Sequence, residues 1–114
     1  MTDVFLHNPR CSTSRTALTL VRDAGLDLPV REYLRDPLSL KELRDLVKLL
    51  DVRPIDLVRR RESEYKTLGL SDDTPDQDVL RALAEHPVLL QRPIVVRGGR
   101  AVVGRPADAV KGIL

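Results

Sequence analysis

The chain has 114 residues, 42% apolar and 32% charged, which predicts one globular domain over residues 1–114 with its own core. The net charge of +2 and an aromatic content of 3% argue against a nucleic-acid binder. Because there is no apolar run near the roughly 20 residues of a membrane span and no signal-peptide pattern, we expect a cytoplasmic protein that does not bind membranes.

The first third of the chain predicts a β-α-β unit. Residues 3–7 form a short apolar strand, and residues 14–24 form a helix capped by Ser12 or Thr13. Residues 28–34 alternate between apolar and polar side chains, as a second strand does. A β-α-β unit favours a parallel pair of strands covered by a helix.

The middle third is predicted to be almost entirely helical. Ser39 and Glu42 form a capping box that opens a helix through Leu50. Further helical segments are predicted at residues 55–61, 64–68 and 76–85. We expect these helices to be an insertion into an α/β framework, over residues of about 39–87.

The last third predicts a β-hairpin followed by a helix. Residues 94–96 and 100–103 are the two strands, joined by Gly98-Gly99, and a helix covers residues 107–113. The complete order, with a cysteine where the first helix begins, is typical of a thioredoxin-like α/β fold with a mixed four-stranded sheet and a helical insertion between the second and third strands. Such folds carry a cis-proline before the third strand, and Pro93 has that position.

Cys11 is the only cysteine, so no internal disulfide can form. Any redox chemistry at Cys11 must therefore use a second thiol from another molecule. It lies where a strand passes into a helix, and backbone N–H groups at a helix start stabilise an anion. Arg10 and a protonated His7 would add positive charge and favour the thiolate. The alternative is a small buried apolar residue, which the polar neighbours of Cys11 disfavour.

The segment His-Asn-Pro-Arg-Cys-Ser-Thr-Ser-Arg at residues 7–15 resembles the active-site loop of the glutaredoxin-coupled arsenate reductases, which have a thioredoxin-like fold. The resemblance continues in order and spacing over essentially the whole chain. It includes the segments at residues 57–60, 65–70, 86–96 and 104–106.

The resemblance implies a role for each of the matching residues. Cys11 would be the nucleophile and His7 would help to keep its thiol ionised. An oxyanion-binding triad would consist of Arg59, Arg92 and Arg105, and the supporting residues would be Ser14, Arg15 and Pro93. Arg60 follows Arg59 directly, so the register of that assignment is open by one residue. No metal site is expected.

The resemblance also implies a reaction and partners. Cys11 would attack arsenate to form an adduct, glutathione would reduce the arsenic, and glutaredoxin would resolve the mixed species and release arsenite. Planar, permanently charged guanidinium groups suit such a tetrahedral anion. We expect glutathione as a co-substrate, no bound cofactor, and a monomer.

Three other functions compete with this hypothesis. A thiol-redox protein acting on glutathione mixed disulfides would need Cys11 and Pro93 but not three arginines. A non-enzymatic regulator that binds a protein such as RNA polymerase would favour a Cys-x-x-Cys switch, whereas position 14 is Ser. Phosphatase chemistry at a Cys-x5-Arg loop fails because Arg15 follows Cys11 by only four residues.

Overall fold

A four-stranded mixed sheet forms the first of two compact units, which consists of residues 1–36 and 92–114. The computed structural model describes all 114 residues, Met1–Leu114. The strands are β1 (Val4–His7), β2 (Val30–Glu32), β3 (Ile94–Arg97) and β4 (Arg100–Val103). The sheet order is β2-β1-β3-β4, with β1 parallel to β2 and the other pairs antiparallel. The predicted thioredoxin-like α/β fold is confirmed, although β2 is shorter than its alternating pattern suggested.

The helices follow the predicted order, with one correction of helix type and one of helix length. The α-helices are α1 (Ser12–Asp23), α2 (Leu40–Leu50), α3 (Ser63–Thr67) and α4 (Asp76–Glu85). Tighter 3₁₀ helices cover Pro54–Leu57, Pro87–Leu89 and Ala107–Ile113. The last segment was predicted simply as a helix, and the helix predicted at residues 55–61 ends at Leu57. None of the helices combines the length and the apolar character needed to cross a bilayer.

The core of the first unit lies between the sheet and α1. The central strand β1 is buried along its whole length, as a strand flanked by others and covered by a helix must be. Ala17 and Val21, which share one face of α1, pack with Phe5 of β1 and Val95 of β3. The start of α1 is therefore fixed against the carboxyl end of β1.

The β3–β4 hairpin turns on Gly98 and Gly99, which both have positive φ, of 57° and 73°. A type I′ hairpin turn requires positive φ at both central residues, and glycine adopts this conformation without strain. Arg97 and Arg100 of the hairpin donate to the carbonyl oxygens of Ile113 and Gly112, over 3.0 and 3.2 Å. They hold the end of the last helix to the sheet, and with it the segment that follows Arg105.

The second compact unit consists of residues 37–91 and contains α2, α3 and α4. The capping box of Ser39 and Glu42 is present with both of its hydrogen bonds, as predicted. Buried Val58 leaves the helical conformation and pairs with Leu90 in an antiparallel bridge. Because that bridge satisfies backbone groups that a helix would otherwise use, the prediction of a helix through residue 61 is wrong. That the two units form one domain stays a prediction.

Candidate active site

The loop between β1 and α1 is organised by Asn8. Its carbonyl oxygen accepts from the N–H of Cys11 over 3.0 Å, and its side-chain Oδ1 accepts from the N–H of Arg10 over 3.0 Å. Cys11 is therefore the N-cap of α1, with extended backbone angles, and Ser12 is the first helical residue. The prediction that Ser12 or Thr13 caps the helix is wrong, since the turn made by Asn8 starts the helix earlier.

Cys11 has 9% of its surface exposed and stands at the positive end of a twelve-residue helix. The backbone N–H of Arg15 donates to the carbonyl of Cys11 over 3.0 Å, which is the first helical hydrogen bond. The N–H groups before Arg15 have no partner within the helix, and no acidic residue lies in the first turn to occupy them. An anion beside Cys11 is favoured by these groups and by the helix dipole.

Arg105 is the charged side chain that contacts Cys11. Its Nη1 lies 3.9 Å from Cys11 Sγ, and the same nitrogen lies 3.4 Å from the carbonyl oxygen of Arg92. Two residues that are 94 positions apart in the chain are thereby brought together. The guanidinium also offers further N–H donors to an anion bound beside Cys11.

Arg92 has two side-chain donors with no partner in the protein. Its Nε and Nη1 are buried and make no hydrogen bond. Buried polar groups are paired in the great majority of cases, because leaving one unpaired costs roughly 1–3 kcal/mol. Unpaired guanidinium donors of this kind are suited to pair with an anion.

Pro93 has the cis configuration that the sequence predicted. Its carbonyl accepts from the N–H of Gly104 over 2.9 Å, which ties the segment before β3 to the segment before Arg105. A Cβ atom on Gly104 would stand only 2.8 Å from the ring of Pro93 and 2.9 Å from Val110. Glycine at position 104 therefore allows the close approach of the two segments that carry Arg92 and Arg105. A second cis bond, Arg105–Pro106, was not predicted.

His7 and Ser14 form a buried pair beside the loop. His7 Nδ1 and Ser14 Oγ are 2.7 Å apart, and Ser14 Oγ also accepts from the N–H of Asn8 over 3.1 Å. Burial lowers the pKa of His7, with Arg22 and Arg15 acting in the same direction and Glu32 opposing them. A lowered pKa favours the neutral form of His7, and the guanidinium of Arg105 is the positive charge in contact with Cys11.

Protein stability is expected to fall as the pH drops below 6.5, the ordinary pKa of histidine, because the unfolded chain then binds a proton that folded His7 does not. The loss ends at the lower pKa of the folded state. Urea unfolding from pH 7.5 to 5 should show this slope in the wild type and a smaller one in His7→Gln. An equal slope in both proteins would contradict the assignment, as would an NMR titration of His7 with a midpoint above 6.5.

Arg15 closes the loop from the other side. Its Nη1 donates to the carbonyl of Pro9 over 2.9 Å, so its side chain spans the turn that leads to Cys11. Arg10 is exposed and is bonded to Asn8 through its backbone. Together with buried Ser14, Arg15 gives the loop a defined shape before any ligand is present.

Arg59 belongs to the helical unit, where its surroundings differ from those of Arg60. The N–H of Arg59 donates to the carbonyl of Leu89 over 2.7 Å, and its half-buried side chain is paired with Glu62. Arg60 is more exposed and is paired with Asp72, whose carboxyl pKa it holds below the usual range. Both arginines are thus ion-paired, Arg59 in a partly buried position and Arg60 at the surface, and the choice between them stays a prediction.

Asn8, Gly104 and Glu62 are the residues that sequence reasoning missed. Asn8 directly follows the predicted strand at residues 3–7, and an Asn-Pro pair before a helix is a turn signal. Glu62 follows Arg59 by three residues, a spacing that can form an ion pair. No local signal marks Gly104, because its role depends on its contacts with Pro93 and Val110, which lie in other segments of the chain.

Comparison with known proteins identifies a matching family, relatives in sequence and similar solved structures. The model of the ArsC family matches residues 6–113. An arsenate reductase of Neisseria meningitidis is 44% identical over 112 residues, covering 96% of both chains. The uncharacterized protein YfgD of Escherichia coli is 41% identical over 110 residues, covering 95% of this chain and 92% of its own. The structure of an arsenate reductase from Vibrio cholerae superposes with a TM-score of 0.93 at 40% identity, covering 100% of this chain and 98% of that one.

Proposed function

The chain belongs to the ArsC family, and from this membership we propose that it reduces arsenate to arsenite with Cys11 as the nucleophile. The observation that carries the proposal is a thiol in contact with Arg105, which in turn contacts the backbone of Arg92, a second arginine with unsatisfied side-chain donors. Arg105 Nη1 lies 3.9 Å from Cys11 Sγ, and two buried nitrogens of Arg92 have no partner. Such a site can bind a tetrahedral oxyanion and hold it against a sulfur nucleophile.

In the first step the thiolate of Cys11 attacks the arsenic of bound H₂AsO₄⁻. A sulfur–arsenic bond forms, one arsenic–oxygen bond breaks, and the oxygen leaves as water after taking up a proton. Arg105, Arg92 and the N–H groups at the start of α1 hold the remaining oxygens. We assign Arg59 to the same task, as the third arginine donor.

The second stage supplies two electrons from outside thiols. Glutathione and glutaredoxin each contribute one sulfur and leave as their mixed disulfide, while As(V) becomes As(III). Water then displaces Cys11 from the arsenic, which releases arsenite and restores the thiolate. External thiols are required because the chain has a single cysteine. Such donors are reduced in the cytoplasm, where we propose that the protein acts.

His7 is proposed to act through Ser14. Ser14 lies one helical turn after Cys11, is fully buried, and is fixed by His7 and by the N–H of Asn8. A neutral imidazole keeps the hydroxyl in place without binding the anion itself. This use of position 14 also disfavours a regulator with a second thiol there.

We propose a monomer, because the large apolar side chains that are exposed are few and scattered along the chain. They are Val30, Leu34, Val52, Leu68 and Leu114.

The wild type is expected to form arsenite from arsenate when glutathione, a glutaredoxin, glutathione reductase and NADPH are present. Omitting glutaredoxin, or replacing it and glutathione by thioredoxin and its reductase, should lower the rate by about tenfold or more. Arsenite can be measured directly, alongside arsenate-dependent NADPH oxidation. If no arsenite forms with either thiol system, the proposed function is wrong; if thioredoxin supports the full rate, only the donor assignment is wrong.

A further inference from the structure

We infer that Glu62 is a positioning residue for Arg59, and that it aligns the guanidinium of Arg59 for the incoming oxyanion. The inference rests on the proposed function, in which Arg59 is one of the arginines that bind arsenate. Its basis is the ion pair between Arg59 Nη1 and Glu62 Oε1, formed within one short segment of the helical unit.

This ion pair is better shielded from solvent than the neighbouring ones. The side chains of Arg59 and Glu62 are 21% and 25% exposed, whereas those of Arg60 and Asp72 are 46% and 69% exposed. Exposed pairs are weakened by water and salt and give little restraint to long side chains. The pair of Arg59 and Glu62 is therefore the one that can hold an arginine in a defined orientation.

The backbone at both ends of the pair is also fixed. Arg59 donates to the carbonyl of Leu89 over 2.7 Å, next to the bridge between Val58 and Leu90. The N–H of Glu62 donates to the carbonyl of Arg59 over 3.2 Å, which closes the turn before α3. With both backbone positions set, the ion pair determines where the guanidinium points.

The pair leaves most of the donors of Arg59 available. A guanidinium carries five N–H groups, and the contact with Glu62 uses the Nη1 side of the fork. The Nε and Nη2 groups remain for the flat, two-point contact that an oxyanion favours. Glu62 stands at the N-cap position of α3 but its side chain makes no capping hydrogen bond, so removing it costs the helix no cap.

The test compares Glu62→Ala and Glu62→Gln with a matched control, Asp72→Ala, which breaks the exposed ion pair of Arg60. Glu62→Ala is expected to raise the KM for arsenate about tenfold with kcat changed by less than about twofold, because alignment of a binding group is lost. Glu62→Gln keeps an oxygen acceptor and should recover most of the affinity. Asp72→Ala should leave both constants within about twofold of the wild type.

A KM that is unchanged or lowered in Glu62→Ala would overturn the inference, since the carboxylate would then be neutral towards the anion or a competitor of it. Arg59→Ala distinguishes arsenate binding by Arg59 from the positioning role of Glu62. If the wild type reduces arsenate and Arg59→Ala raises the KM while Glu62→Ala does not, only the positioning role is wrong. If the wild type forms no arsenite, the proposed function fails first and the inference with it.

Discussion

Cys11→Ser is expected to abolish arsenite formation, lowering kcat by at least about a thousandfold, as loss of a covalent nucleophile does. A hydroxyl at this position is not ionised near neutral pH, and its oxygen cannot replace sulfur as the ligand that leads arsenic to the trivalent state. The other parts of the site, Arg92, Arg105 and the start of α1, remain. The variant should therefore still bind the oxyanion without turning it over.

The measurement is arsenite production in the glutathione and glutaredoxin assay, with alkylation as an internal check. Because the chain has one cysteine, iodoacetamide adds one group to the wild type and none to the variant. Thermal unfolding should show that the variant is folded, since Ser and Cys are similar in size. A folded Cys11→Ser protein that keeps more than about a hundredth of the wild-type rate would exclude the nucleophile role of Cys11.

Arg92→Met is expected to keep or raise the stability of the protein while it weakens arsenate binding. The Nε and Nη1 groups of Arg92 are buried without partners, so replacing the side chain by an apolar one of similar length removes a cost of about 1 kcal/mol. The same change removes charge-assisted hydrogen bonds to the oxyanion and should raise the KM for arsenate about a hundredfold. The variant should thus melt at the same temperature as the wild type or higher, and bind substrate far more weakly.

Inorganic phosphate provides an independent readout, because it has the shape and charge of arsenate but is not reduced. It should raise the melting temperature of the wild type by binding the folded state, and should do so much less in Arg92→Met. Arg35→Ala is the control for the loss of one positive charge, since Arg35 is exposed and outside the site. An Arg92→Met protein that is less stable and still responds fully to phosphate would show that Arg92 has only a structural role.

Local signals in the sequence were sufficient to predict most of the helices, strands and turns. The capping box at Ser39 and Glu42, the Gly98-Gly99 turn and the helix at residues 76–85 depend on residues close to one another in the chain, and all three are present. Val58 could not be predicted, because its extended conformation depends on Leu90, a partner far along the chain.

The geometry of the candidate site could not be predicted from the sequence. The contact of Arg105 with Cys11 joins distant parts of the chain, and only resemblance to a known family could nominate Arg105. The lowered pKa of His7 could not be predicted, because it is set first by burial, a property of the folded protein. The run Arg59-Arg60-Arg61 resembles an exposed surface, and only the separate partners of Arg59 and Arg60 distinguish them.

The loop that presents Cys11 is also protected against the commonest route of asparagine deamidation. Asn8 holds it through three groups, its N–H, its carbonyl and its side-chain amide. Asparagine usually deamidates when the backbone nitrogen of the next residue attacks the side-chain amide to form a succinimide. The next residue is Pro9, whose nitrogen carries no hydrogen, so this route to aspartate is blocked. The asparagine that shapes the loop is therefore expected to survive over the lifetime of the protein.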